Sequence, residues 1–232
     1  MMDINKHKFH LLQLLKSIYS DAELSKNLGF KGGTALMFFY DLPRFSVALD
    51  FNLLDTSNSA SVYNKLRQLC LTHGKIHDEA RKFYGDILVL DYGQHERKLK
   101  IEVSHRQFED QYEIKNLLGI HVKVMTKSDM FSHKLCALTD RASITNRDIF
   151  DTWFLMSQQT PINEKIIQTR MNQDLTEYLD TCIQTIEKMP NKHLLDGLGE
   201  LVNPELKAFV RNKLRQEIIS LFEFYKQFPI KL

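Results

Sequence analysis

Apolar residues recur at helical spacing through Leu11, Leu12, Leu14, Leu15, Ile18 and Tyr19, which predicts an amphipathic helix over about residues 5–20. A short strand near Gly29-Phe30 leads into Gly32-Gly33. The helix opening there carries Leu36, Phe38 and Phe39 inward and stops before Pro43. The run from Val47 to Leu53 alternates as a strand does. It puts Val47, Leu49, Phe51 and Leu53 on one face and Ala48 and Asp50 on the other. Another helix is expected over residues 59–73. Asp86 to Tyr92 and Lys98 to Ser104 flank a polar turn with Gly93, the signature of a hairpin. In its second strand Leu99, Ile101 and Val103 share a face, so Glu102 projects from the opposite one. Ile120 to Met125 reads as a further strand.

From about residue 127 the pattern is helical to the end, interrupted near Pro161, Pro190 and Pro204. Late in this stretch Phe209, Leu214, Ile218, Ile219, Leu221 and Phe222 form an apolar stripe suited to packing on its own domain. A mixed first part and a helical remainder define an α+β chain, with a core over residues 1–125 and a helical region over residues 126–232. No apolar run nears the roughly 18 residues that span a bilayer, and no signal core follows Met1-Met2-Asp3, so a cytoplasmic protein without a membrane partner is expected. Cys70, Cys136 and Cys182 lack metal-ligand spacing and read as buried thiols of a reducing compartment. A net charge of +2 gives no general attraction for nucleic acid, so any such binding needs a local basic face.

Three constellations carry chemistry. Gly32-Gly33-Thr34 sits where a strand becomes a helix, and such glycines let backbone amides approach a phosphate. A plain tight turn accounts for the pair equally well. Asp50 and Glu102 project from strands able to pair. Two convergent carboxylates suit a hard divalent cation, although two solvent-facing acids on a half-exposed sheet give the same pattern. Lys134, with Asp148 and Asp151 on a later helix, offers charge for a triphosphate or forms ordinary surface pairs. The His73-x-x-x-His77 pair straddles Gly74, where a helix should end, which argues against a histidine zinc site.

Taken in order, these pieces resemble the AbiEii/AbiGii-type toxins of the polymerase-β-like nucleotidyltransferase superfamily. The match runs through Lys31-Gly32-Gly33-Thr34-Ala35-Leu36, Leu42-Pro43-Arg44-Phe45-Ser46 and Leu49-Asp50-Phe51. It continues with Glu102, then Lys134 to Leu138 with Arg141, then Arg147-Asp148 with Asp151 and Trp153. The resemblance covers roughly residues 9–156. It implies a nucleotidyltransferase core, with the helical region completing the active-site cleft, in the toxin of a bacterial toxin–antitoxin or phage-defence system with a cognate antitoxin. It further implies Mg²⁺ (or Mn²⁺) and an NTP, whose NMP passes to RNA such as a tRNA 3′ end. On that footing Gly32, Gly33 and Thr34 cradle the triphosphate, with Ser46 nearby. Asp50 and Glu102 bind metal, Lys134 contacts phosphate, and Arg147, Asp148 and Asp151 support the site. A Ser46 facing the metal would also let a phosphate or nucleotide added there silence the enzyme.

One position departs. The family carries Asp-x-Asp where this chain has Ala48-Leu49-Asp50. Loss of one carboxylate from a two-metal site removes a ligand and a charge, so this copy is expected to be inactive or weakened. A naturally inactive member and an introduced Asp→Ala replacement both account for Ala48. The intact remainder favours the replacement. Two other functions stay open: a catalytically dead module that binds nucleotide, RNA or antitoxin, and nucleotidyl transfer to protein. For an RNA acceptor, Lys98, Lys100, Lys123, Lys127 and Arg141 are the candidate basic set.

Overall fold

The computed structural model describes residues 3–94, 96–140, 144–190 and 192–232. The chain divides into two compact units. One comprises Met1–Asp41 and Phe45–Met125, the other Leu42–Arg44 and Thr126–Leu232.

The first unit is built on a seven-stranded mixed sheet. Its strands in chain order are β1 (Leu28–Lys31), β2 (Ala48–Leu53), β3 (Lys75–Lys82), β4 (Gly85–Asp91), β5 (Leu99–Ser104), β6 (Tyr112–Leu117) and β7 (Ile120–Met125). They lie side by side as β3-β4-β5-β2-β1-β7-β6. β2 runs parallel to β5 and β1 parallel to β7, and the remaining neighbours are antiparallel. The helices are α1 (Ile4–Ser20), α2 (Ala22–Asn27), α3 (Gly32–Phe39) and α4 (Ser59–His73). Leu11, Leu14, Leu15 and Ile18 of α1, with Val62, Leu66 and Cys70 of α4, are buried. So are Leu49 and Phe51 of β2, Leu88 and Leu90 of β4, and Leu99, Ile101 and Val103 of β5. Alternation along β4 and β5 is complete: every second residue is buried and the others are half-exposed.

Three elements lack a periodic signal. β3 is an edge strand reading Lys75-Ile76-His77-Asp78-Glu79-Ala80-Arg81-Lys82, mostly exposed. Its charges protect an open edge from pairing with another chain, and they also erase the apolar alternation that announces a strand. β6, at the other edge, has no buried residue, three of its six being exposed and three half-buried, and is held by antiparallel pairing to β7. α2 is only six residues long, capped by Asp21, whose carboxylate accepts from the amides of Glu23 and Leu24 at 3.0 Å.

The second unit is helical: α5 (Lys127–Cys136), α6 (Asn146–Ser157), α7 (Glu164–Met171), α8 (Leu175–Lys188), α9 (Pro204–Asn212) and α10 (Leu214–Gln227). Pro204 occupies the first turn of α9, where a missing N–H is harmless. Leu214, Ile218 and Phe222 of α10 are buried, and Phe209 of α9 packs at a 43° tilt against Trp153 of α6, 4.5 Å between ring centroids.

Candidate active site

In the first unit, site geometry follows from strand register. Parallel pairing of β2 with β5 sets Asp50 opposite Glu102 and Ala48 opposite Lys100. Directly opposite residues on neighbouring strands share a sheet face, so the two carboxylates project side by side. On the other flank of β2, antiparallel pairing sets Lys31 of β1 opposite Asp50. Gly32, the next residue, starts α3 with φ +79°, and a Cβ on it would lie 2.6 Å from Asp50 Oδ2. That position therefore needs glycine twice over, for its backbone angle and for the carboxylate beside it. The first amides of α3 thus open next to Asp50, where helix geometry leaves N–H groups unpaired.

Thr34 and Ser46 are both buried. Thr34 donates its hydroxyl to the Ala48 carbonyl, and its Oγ1 lies 2.9 Å from Ser46 Oγ. These hydroxyls therefore fix the entry to β2. The preceding carbonyl, that of Val47, is held by His7 of α1 (Nε2 to O, 3.0 Å), so the residue-48 region is anchored from two helices.

Ala48 presents a methyl group where a third acid would complete the set. Among the described residues no group of three or more His, Cys, Asp or Glu side chains is gathered as a metal site would require. Asp50 and Glu102 fit one hard cation that completes its shell with phosphate oxygens. They do not fit two. Lys100, opposite Ala48, ion-pairs with Glu102.

The second unit holds a buried charge cluster. Arg44 grips Asp151 with both prongs, Nε to Oδ1 at 2.6 Å and Nη2 to Oδ2 at 2.7 Å. Lys134 of α5 lies 2.8 Å from Asp151 and 2.9 Å from Asp148. Thr145 caps α6: its Oγ1 accepts from the Asp148 amide at 3.2 Å and donates to Asp148 Oδ2 at 2.8 Å. Burial opposes the charge of Asp151, but Arg44 and then Lys134 outweigh it and hold the carboxyl below its usual range. Burial likewise opposes the charge on Lys134, and Asp151 and Asp148 outweigh it, raising its pKa. Two cations face two carboxylates here. The Arg147 side chain is half-buried, with no hydrogen bond or ion pair to it among the described residues.

Arg44 takes a structural role that nothing local in the sequence announces. Its place in Leu42-Pro43-Arg44-Phe45-Ser46 was the only signal, because its partner lies 107 residues away. Of the candidate acceptor lysines in the first unit, Lys100 on β5 and Lys123 on β7 are separated by β2 and β1. Lys98 pairs with Asp91 and Lys100 with Glu102, while Lys123 sits on β7, beyond β2 and β1, and donates to the Lys26 carbonyl at 3.0 Å. Lys127 lies over the Phe154 ring at 6.0 Å. Arg141 lies outside the described residues.

A glycine-led helix beside paired strand acids, on a mixed sheet followed by helices, defines a nucleotidyltransferase fold. Two solved structures share it: a candidate nucleotidyltransferase from Helicobacter pylori (TM-score 0.66, 19% identity, covering 98% of this chain and 96% of that one) and JHP933 from the same organism (0.59, 20%, 98% and 96%). The sequence matches the profile of the AbiEii nucleotidyl transferase toxins of type IV toxin–antitoxin systems over residues 13–227, and the chain belongs to that family. No curated protein matches it. No helix among the described residues is long and apolar enough to cross a membrane.

Proposed function

We propose that this protein is the toxin of a toxin–antitoxin pair active in phage defence in the cytoplasm, built to transfer an NMP from an NTP to RNA such as a tRNA 3′ end. The observation that carries the reading is the Asp50–Glu102 register beside the Gly32 helix start. Asp50 and Glu102 would hold Mg²⁺ (or Mn²⁺). Bound there, that ion would supply charge for the attacking hydroxyl and for the leaving pyrophosphate. In the reaction the acceptor hydroxyl gives up its proton to water, its oxygen bonds to the α-phosphorus, the α–β anhydride bond breaks, and pyrophosphate leaves. Gly32 and Gly33 bring backbone N–H groups to the triphosphate, and Thr34 and Ser46 hold the strand that carries Asp50. Within the second unit Asp148 and Asp151 hold Lys134, the residue to which the family resemblance gives a phosphate contact, with Arg147 beside them on α6.

Ala48 sets the activity of this chain. With one acid missing, turnover falls by a factor on the order of 100 or more, the scale seen when a single charge-stabilising group is removed. Ala48→Asp should therefore restore Mg²⁺-dependent labelling of total cellular RNA by an α-labelled NTP, tested with each of the four nucleotides. Absence of label with all four would sink the reading, and label entering protein would redirect it to protein modification. The Lys100–Glu102 ion pair favours a second reading, a nucleotide- or RNA-binding module without turnover. Its mark would be NTP binding to both forms of the protein with no product from either.

A further inference from the structure

The tip of the β3–β4 hairpin carries two adjacent exposed aromatic residues. Its two turn residues are Phe83 and Tyr84, 87% and 61% exposed. Two-residue hairpin turns ordinarily take Gly, Asn or Asp, whose backbones accept the required angles. Two aromatic rings in water do nothing for the turn and lose the benefit of burial. The rings stand edge to face, 4.8 Å between centroids at 88°.

The platform is tied to β5 and cationic. The Tyr84 carbonyl accepts from the His105 amide at 3.0 Å, tying the tip to the end of β5. Asp86, the acid nearest the tip in sequence, is buried and occupied by His105 at 3.0 Å and Arg81 at 3.3 Å. The Arg106 guanidinium covers the Tyr84 ring at 4.9 Å. Lys82 is exposed, opposite Gly85, which in turn pairs with Ser104 of β5. Ser104 and Glu102 lie two residues apart on one strand, so Lys82 shares the sheet face of Glu102 and Asp50. The level of Ser104 lies about 7 Å along the strand from that of Glu102, at roughly 3.3 Å per residue.

We propose that this tip binds the single-stranded end of the RNA acceptor, with bases stacking on Phe83 and Tyr84 and phosphates meeting Lys82 and Arg106. Exposed aromatic faces interleaved with cations are what unpaired bases require. An acidic peptide would use the cations and leave both rings idle, and a duplex would hide its bases. The proposal deepens the RNA-transfer reading and rests on it for the identity of the strand.

Fluorescence anisotropy of a short fluorescein-labelled oligoribonucleotide with the chain as it stands provides the test. Phe83→Ala/Tyr84→Ala should weaken binding about tenfold to a hundredfold, the scale of losing one stacked base, while circular dichroism stays unchanged. Phe83→Trp should keep affinity and show quenching of its indole on RNA addition. Lys82→Ala should lower the slope of log affinity against log salt by about 0.7, as expected for one lost phosphate contact on a single strand. Binding by the double alanine variant within twofold of the parent overturns the proposal. So does equal affinity for duplex RNA, or absence of RNA binding by the parent. In the Ala48→Asp background the two ideas separate. RNA labelling that ignores the double alanine change rejects the platform alone, and RNA binding without labelling rejects the transfer reading alone.

Discussion

Asp151 is fully buried and accepts from two cations, Arg44 through a two-pronged contact and Lys134 through its ammonium. A carboxylate in that setting is stabilised only as long as both partners remain, because each charge has given up water. Asp151→Asn leaves Arg44 and Lys134 facing each other without their shared anion. It should cost about 3–5 kcal/mol of stability, the range for breaking a buried pair. Lys134→Met should cost less, because Asp151 keeps Arg44 and Asp148 keeps Thr145. Urea unfolding of both variants checks the order, and equal midpoints for Asp151→Asn and the parent would contradict this account. Ser46 gains a different meaning at this scale. Its side chain is buried against Thr34, so a phosphate added there would first have to open the start of β2.

Among the elements, α6 is where capping and chemistry coincide. Thr145 satisfies the Asp148 amide and also binds the Asp148 carboxylate, which in turn binds Lys134. Thr145→Ala removes both bonds. A lost N-cap is typically about 1 kcal/mol, so a lowered melting temperature with an intact fold is the expected outcome. If Lys134 has the proposed phosphate role, the same change in the Ala48→Asp background should also raise the KM for NTP, since Lys134 loses part of its support. An unchanged KM would separate the cap from the chemistry. The elements also explain what was legible. β2, β4 and β5 announce themselves because one face of each is buried, and the alternation that places Leu99, Ile101 and Val103 inward also turns Glu102 outward. β3 and β6 carry no such pattern because they are edges and bury little. Arg44 was legible only as part of a motif: its function depends on Asp151, and no local spacing connects residues 107 apart.

At the scale of the whole molecule, titration links folding to pH at both ends of the range. Asp151 is depressed, so the stability it contributes is present above the unfolded carboxylate pKa of about 3.9 and is lost as pH falls through its folded value. Lys134 is raised, so its contribution is complete below about 10.4 and is lost as pH rises through its folded value. The histidines act earlier. Burial lowers the pKa of His7, His10 and His73, so below about 6.5 the unfolded chain takes up protons that the folded one refuses. Stability must then fall as the pH drops from 7 to 5. His7 is fully buried, with Nδ1 2.5 Å from the Tyr92 hydroxyl and Nε2 on the Val47 carbonyl, so protonation would force a second donor into a closed site. His7→Gln keeps a donor for Val47 but cannot titrate. Between pH 6.5 and 5 it should flatten the dependence of unfolding free energy by up to about 1.4 kcal/mol per pH unit, the limit for one proton. Urea titrations of parent and variant at pH 7, 6 and 5 measure that slope. Parallel slopes would show that His7 accepts its proton without penalty, and the acid sensitivity would then belong to His10 and His73.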